Sequence, residues 1–284
     1  MATLEQPAAG ESMSGAGRSL SITTTLQSAY DEQYTGEIAQ WRELGAKYKA
    51  ENILAVCRNR RFQRVLECGA GEGSILGFLD ASGAFAELFA IEISESGIRQ
   101  IEKRKIRTLR ETRGFDGYQI PYPDRSFDMA YCSHVLEHVE HPRILLRELK
   151  RVSDYQVFEI PLDYAVNVDR RVRELHAYGH INVFTPSTFR FLLKSEGFDI
   201  LEQRLTHSAQ EVIRYNWEHN LKRRLSRKLR LYLKMLPAIR SARRWLMGAE
   251  RFAEYGYSAY TCLTRSIGEL RIFQDATESL SGPE

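Results

Sequence analysis

The segment Val65-Leu-Glu67-Cys-Gly69-Ala-Gly71-Glu-Gly73-Ser74 constrains this chain more than any other. Arg64 to Cys68 reads as a short apolar strand, the glycines as a tight turn, and Ser74 to about Leu79 as a helix. Glycines at alternate positions let the backbone pass close beneath a ligand, and the helix start offers N–H groups with no partner inside the helix. The bland reading is a strand-to-helix turn with no ligand, and three glycines after an acid weigh against it. A dinucleotide is the competing ligand, but G-x-G-x-G before Ser74 is not the G-x-G-x-x-G spacing of dinucleotide sites.

The pattern repeats downstream. Phe85 to Ile93 reads as a second strand and Glu95 to Leu109 as a helix; a weakly written third strand lies in Leu109-Arg-Glu-Thr-Arg-Gly-Phe115, just before Asp116. Phe127 to Cys132 is a fourth strand, His141-Pro142 to Val152 a helix, and Tyr155 to Ile160 a fifth strand stopped by Pro161. Thr185 as N-cap with Pro186 at the first helical position opens a helix that Gly197 stops. Phe198 to Thr206 and Tyr257 to Thr264 are the sixth and seventh strands. Strands alternating with helices predict an α/β, Rossmann-like seven-stranded sheet with helices on both faces. A helical N-terminal lid precedes it, with apolar residues from Tyr30 to Val56 at helical spacing and Gly36 as a break, and a basic helical insertion separates strands six and seven.

We therefore expect a leader over 1–22 and one domain over 23–284. Its parts are a lid (23–60), a cofactor half (61–161), a substrate-side segment with strand six (162–206), the insertion (207–256), the last strand (257–266) and a tail (267–284). With 43% hydrophobic and 27% charged residues the chain is an ordinary globular protein. Cys57, Cys68, Cys132 and Cys262 are scattered, without zinc-ligand spacing, and read as free thiols. No apolar run reaches the ~20 residues of a membrane span, and the N-terminus lacks the basic and apolar regions of a signal peptide. The expected location is the cytoplasm, with peripheral contact at the membrane as a further option.

Two more motifs bear on chemistry. Glu92 ends the second strand, where a carboxylate can accept both hydroxyls of a ribose, a device that dinucleotide enzymes share. Next come Asp116-Gly-Tyr-Gln-Ile-Pro121-Tyr-Pro-Asp124-Arg-Ser126-Phe127-Asp128 and, after the fourth strand, Leu136-Glu137-His138-Val139. Taken in order with the glycine turn and Glu92, these resemble the class I S-adenosylmethionine-dependent methyltransferases over about 65–161. His180-Ile-Asn-Val-Phe184-Thr-Pro to Gly197-Phe198 is similar to the downstream segment of their small-molecule and glycan subgroups.

The resemblance implies S-adenosylmethionine as cofactor and assigns residues to it. Glu67 and the backbone of Gly69 and Gly71 would hold the methionine end, with Gly73 closing the turn. Glu92 would take the ribose and Ile93 flank the adenine; Asp116 and the Gly117 amide would read its edge, and Ser133 would lie near the sulfonium. Glu67 stands where Asp is commoner. A base is needed only where the acceptor must lose a proton, and His180, His138 and His176 are candidates. For any one of them a hydrogen-bonding or helix-terminal role is the plainer alternative. The ubiquinone-pathway O-methyltransferases resemble this chain at the Leu-Glu-His segment and hold a metal there, but His134 stands where their first acid would be, and we expect no metal.

Between Leu221 and Arg244 there are ten Lys and Arg and no acid; without those ten, 30 basic face 37 acidic residues in the rest of the chain. Leu221, Leu225, Leu229, Leu233 and Leu236 are spaced for one face of a helix, opposite the cations. Such a helix over 221–245 suits an anionic membrane or RNA, or simply packs with a solvated basic face. The predicted activity is methyl transfer to a hydroxyl of a small molecule or lipid-linked glycan. Alternatives are an RNA methyltransferase gripping RNA with the insertion, a non-catalytic cofactor-binding or scaffold protein, and an NAD-dependent oxidoreductase. The fourth strand leads into Cys132-Ser-His-Val rather than the N-P-P-[YF] tetrapeptide of amino-group methylation on bases.

Overall fold

Period-two alternation along the strands sends successive side chains to opposite sides of one sheet and builds two cores. In the computed structural model, which describes residues 39–220 and 222–268, Leu66, Cys68, Phe89, Ile91, Ala130 and Cys132 enter one core. Their neighbours Val65, Leu88, Ala90, Met129 and Tyr131 enter the other. The strands are β1 (Arg64–Cys68), β2 (Glu87–Glu92), β3 (Leu109–Gly114), β4 (Phe127–Ser133), β5 (Ser153–Pro161), β6 (Phe198–Thr206) and β7 (Ala259–Ser266). They form a sheet of order β3-β2-β1-β4-β5-β7-β6. All pairings are parallel except those of β7, which runs antiparallel to β5 and β6.

Helices cover both faces. α1 (Ala39–Cys57) and α2 (Ser74–Ser82) supply Ala46, Ile53, Leu76 and Leu79 to one core, and α3 (Glu95–Lys103) adds Ile101. α4 (Pro142–Val152) brings Leu145, Leu146 and Leu149 to the other. The chain then passes through a 3-10 turn (Val168–Arg171) and α5 (Val172–Ala177) into α6 (Pro186–Ser195). The Thr185 side chain and the Thr188 side chain close a reciprocal capping box at the start of α6. α7 (Gln210–Tyr215), a π turn (Asn216–Asn220), α8 (Arg227–Met247) and α9 (Ala249–Tyr255) fill the space between β6 and β7.

Two expectations are corrected. The helix after β2 ends at Lys103 rather than Leu109, because Lys105 turns left-handed at φ 52° and Leu109 opens β3. The basic helix begins only at Arg227, where Ser226 Oγ accepts the Leu229 amide at 3.1 Å. Leu225 therefore precedes it, Leu221 lies outside the described residues, and the inward face carries Leu229, Leu233 and Leu236. The leader 1–22, the lead-in before residue 39 and the tail after 268 also lie outside the described residues, and the four cysteines are free and buried.

Candidate functional site

The parallel strands β1, β2, β4 and β5 all end at one edge of the sheet, and the strand order reverses direction between β1 and β4. In open α/β sheets a ligand crevice forms at such a point. Here a cavity of about 1070 Å³ opens there, with Glu67, Glu92, Ser133 and Glu159 on its wall, one from each strand end. That volume is at the upper end for small-molecule sites and leaves room for a nucleoside cofactor and an acceptor together.

The glycine turn forms the floor. Gly69, Gly71 and Gly73 have φ of 75°, 56° and 77°, a left-handed backbone that other residues adopt only with strain. A β-carbon at Gly69 would stand 2.6 Å from Val135 Cγ2, so the Val135 side chain packs directly on the turn. Glu92 holds the turn in place: its Oε2 accepts the Gly71 amide at 2.7 Å and its Oε1 the Ser94 amide at 3.0 Å. Gly97, at the start of α3, lets the turn in, since a β-carbon there would meet the Gly71 carbonyl oxygen at 2.6 Å.

α1 roofs the cavity with Trp41, Arg42, Tyr48, Lys49 and Asn52. Arg42 pairs with Glu72 at 2.9 Å, and Arg104 donates to the Glu72 carbonyl at 2.6 Å and to Glu43 at 2.9 Å, so α1, the glycine turn and the end of α3 are bound together. Deeper in, Asn52 Nδ2 and Ser133 Oγ each donate to the buried Glu159 carboxylate at 2.9 Å. The register fixes this contact, because Ser133 lies directly opposite Glu159 in the β4–β5 pair.

The wall is strongly acidic. Glu67 is buried, and its Oε2 has no hydrogen-bond partner. Burial, reinforced by the neighbouring Glu92, pushes its carboxyl up to about 8, against the Tyr131 hydroxyl and the cations of Lys49 and Arg104. Burial also lowers the Lys49 ammonium pKa, with Glu159, Glu137 and Glu67 acting against that. An orphaned carboxyl oxygen on the cavity wall is what a ligand ammonium would complete.

A second group lines the same cavity. The backbone amides of Ile181 and Asn182 donate to the Glu137 carbonyl at 2.9 Å, and Asn182 Nδ2 donates to the Val139 carbonyl at 2.7 Å. This pins the downstream segment to the Leu136–Val139 turn and brings His138 and His180 to a ring separation of 4.9 Å. His180 Nδ1 lies 2.7 Å from Asp163 Oδ2, and His138 Nδ1 lies 3.0 Å from the Gly179 carbonyl oxygen. The acceptors place the protons on Nδ1 and turn each Nε2 lone pair away from them. Neither oxygen of buried Glu137 is hydrogen-bonded, with His134 Nδ1 at 3.4 Å and His138 Nε2 at 3.7 Å. Burial would raise the Glu137 carboxyl, but His134 and His138 outweigh it and hold it at about 2. Glu137, His138 and His180 have ligand atoms within 4.8 Å of one another, a donor set able to hold a divalent ion, although no metal is expected from the sequence.

Most of the sequence-predicted residues meet on this wall: Glu67, Gly69, Gly71, Glu92, Ile93, Gly117, Ser133, His138 and His180 all line the cavity. Gly73 does not; it is the N-cap of α2, packed against Ile101. Asp116 is also off the wall, because its Oδ1 accepts the amides of Tyr118 and Gln119 at 2.9 and 2.6 Å and caps the turn that presents Gly117. His176 is exposed on α5 and does not line the cavity. Lys49, Asn52, Glu159 and Asp163 were not singled out from sequence. Only the place of Glu159 near a strand end could have marked one of them.

Residues 30–203 match the family described as a methyltransferase domain. YrhH of Bacillus subtilis (strain 168), named as a methyltransferase, is 26% identical over 141 residues, covering 47% of this chain and 76% of that one. Four further curated relatives are matched over 31% to 54% of their own length. Among solved structures, the N-methyltransferase NodS from Bradyrhizobium japonicum WM9, in complex with S-adenosyl-L-homocysteine, superimposes with a TM-score of 0.54 at 12% identity, over 86% of this chain and 99% of that one. Magnesium protoporphyrin IX methyltransferase from Synechocystis PCC 6803, with the same ligand bound, gives 0.52 at 12% identity over 86% and 99%.

Proposed function

Since this chain belongs to the class I S-adenosylmethionine-dependent methyltransferases, we propose that it methylates a hydroxyl group of a small molecule or a lipid-linked glycan in the cytoplasm. The observation that carries this reading is His180, which lines the cavity and is held by its 2.7 Å contact with Asp163. A hydroxyl is a poor nucleophile until it loses its proton, and a neutral imidazole held by a carboxylate is suited to take it. Asp163 fixes the tautomer of His180, His180 Nε2 receives the acceptor proton, and the imidazolium so formed is balanced by the Asp163 carboxylate. His138, edge-on to His180, orders the same wall.

The cofactor, when bound, supplies a methyl group already activated on a cationic sulfonium. The residues present fit it. Glu67 offers an unpartnered buried oxygen for the amino group of the methionine end, and the left-handed turn at Gly69 and Gly71 admits its backbone. Glu92, Ile93 and Gly117 line the part of the wall where ribose and adenine would lie, and Ser133, on the same wall, would lie near the sulfonium. Asp116 acts on the adenine side through the turn it caps rather than through its own carboxylate. Positioning within the cavity accounts for the larger part of the rate, and proton removal for a further ~10²–10⁴-fold.

The test is transfer of a labelled methyl group by the purified protein to lipid, glycan, small-phenol and RNA fractions of the source cell. Label is expected in the lipid-linked, glycan or small-phenol fraction as a base-stable ether. Label confined to RNA, or to nitrogen, would refute the reading.

A further inference from the structure

The basic helix α8 carries a second apolar face that the fold does not use. Its inward side is built from Leu229, Leu233 and Leu236, of which Leu233 and Leu236 are buried. At the ~100° per residue of an α-helix, Leu231, Met235, Ala238, Ala242 and Trp245 fall in one row on the opposite side, with Leu246 at its edge. Leu231 is 61% exposed, Met235 48%, Trp245 83% and Leu246 73%. Arg227, Arg230 and Lys234 are exposed along one side of this row and Lys228 and Arg243 along the other, and none of them pairs with a carboxylate among the described residues. An apolar row at helical spacing inside a cationic border is unlike a solvated basic face, in which the outward positions are polar throughout.

We infer that α8 docks in the plane of an anionic lipid surface, with Leu231, Met235, Trp245 and Leu246 entering the headgroup boundary and the surrounding cations meeting lipid phosphates. Charge decides among the occupants. A second copy of the chain would bring one unpaired cationic border against another. RNA would satisfy the cations and leave the apolar row in water, whereas an anionic bilayer satisfies both. The contact is peripheral, because among the described residues no helix is long and apolar enough to cross a membrane.

The docking surface adjoins the cavity. Glu218 and His219 of the π turn and Lys222 line it just ahead of α8, and Arg240 of α8 donates to the carbonyl of Ser208, another cavity-lining residue, at 3.4 Å. Docking thus holds the cavity rim near the bilayer, where an acceptor carried on a lipid would be found. The surface itself stands independently of the acceptor and is read by binding alone.

The experiment is co-sedimentation of the full chain with vesicles of phosphatidylcholine, and of phosphatidylcholine with phosphatidylglycerol, across a salt series. The emission of Trp245 is followed in parallel by difference against Trp245→Ser. Two variants are compared with the native protein: Leu231→Ser with Trp245→Ser and Leu246→Ser, and Arg227→Glu with Lys228→Glu and Lys234→Glu. All the altered side chains are exposed, so both variants should keep the native melting curve and cofactor affinity, which are checked first. The expected results are binding to anionic but not neutral vesicles, a blue shift of Trp245, and a loss of more than about tenfold in each variant. No binding of the native protein to anionic vesicles at low salt would overturn the proposal. So would serine variants that bind as the native protein does, or an RNA homopolymer bound in place of vesicles and unaffected by the serine changes.

Discussion

Replacing Glu67 by Gln should stabilise the ligand-free protein and weaken the cofactor, and the stability gain should depend on pH in a calculable way. The carboxyl stands at about 8 in the fold against an ordinary 4.5, chiefly through burial. A folded-state pKa above the unfolded one means that the native state holds a proton which the unfolded chain releases. The carboxyl's contribution is therefore fully favourable below about pH 4.5 and is lost as pH rises toward about 8. The loss accrues at about 1.4 kcal/mol per pH unit, which gives a ceiling of about 3 kcal/mol at pH 7. Gln keeps the size and polarity but never ionises, so it escapes this penalty. Urea unfolding of both proteins at pH 5, 6, 7 and 8 should give curves that diverge steadily, with the native protein falling behind. Parallel curves would show that Glu67 ionises at its ordinary pKa and would remove the basis for calling it a strained, ligand-completed carboxylate. The price in function should appear in calorimetry, since the variant lacks the charge that pairs with the cofactor's amino group.

Two further substitutions probe the turn and the base. Gly97→Ala places a β-carbon 2.6 Å from the Gly71 carbonyl oxygen and 3.0 Å from Glu92 Cγ. It should cost about 1–3 kcal/mol of stability by melting and weaken cofactor binding about tenfold or more; unchanged binding would show that the turn tolerates displacement. His180→Ala should lower kcat by ~10²–10⁴ with little change in cofactor dissociation constant. Asp163→Asn should lower kcat in the same direction, and native rates in either variant would remove the pair from the mechanism.

Local chemistry explains which elements were legible in the sequence. β1 and β6 appear at their predicted limits, with Gly69 directly after the first and Gly197 directly before the second, and α4 and α6 begin where Pro142 and Pro186 sit at the first helical turn. β3 was faint for a physical reason. It is an edge strand whose charged residues are paired sideways, Arg110 with Glu87 at 3.3 Å and Arg113 with Glu111 at 2.8 Å, so no apolar run was required. The end of α3 was missed because the left-handed residue there is Lys105 and not glycine.

The cofactor side of the site was readable because its residues follow one another at strand ends. The roof and the far wall were not, because Lys49, Asn52, Glu159 and Asp163 meet only through tertiary packing. The Asn52–Glu159 contact, for instance, joins residues 107 apart in the chain. The outward row on α8 was hidden in the same way. Sequence spacing marks Leu229, Leu233 and Leu236 as one face, and only their burial against the body reveals that Leu231, Met235 and Trp245 point the other way.

The central assignment is that the glycine turn and Glu92 form the cofactor site, and calorimetry of the native protein and Glu92→Ala tests it most directly. The native protein should bind S-adenosylmethionine and S-adenosylhomocysteine, with no comparable affinity for NAD. Loss of the carboxylate, which accepts the Gly71 amide at 2.7 Å and would take the ribose hydroxyls, should weaken the cofactor by roughly 1.5–3 kcal/mol. An unchanged dissociation constant in Glu92→Ala, or preferential binding of NAD, would contradict the assignment.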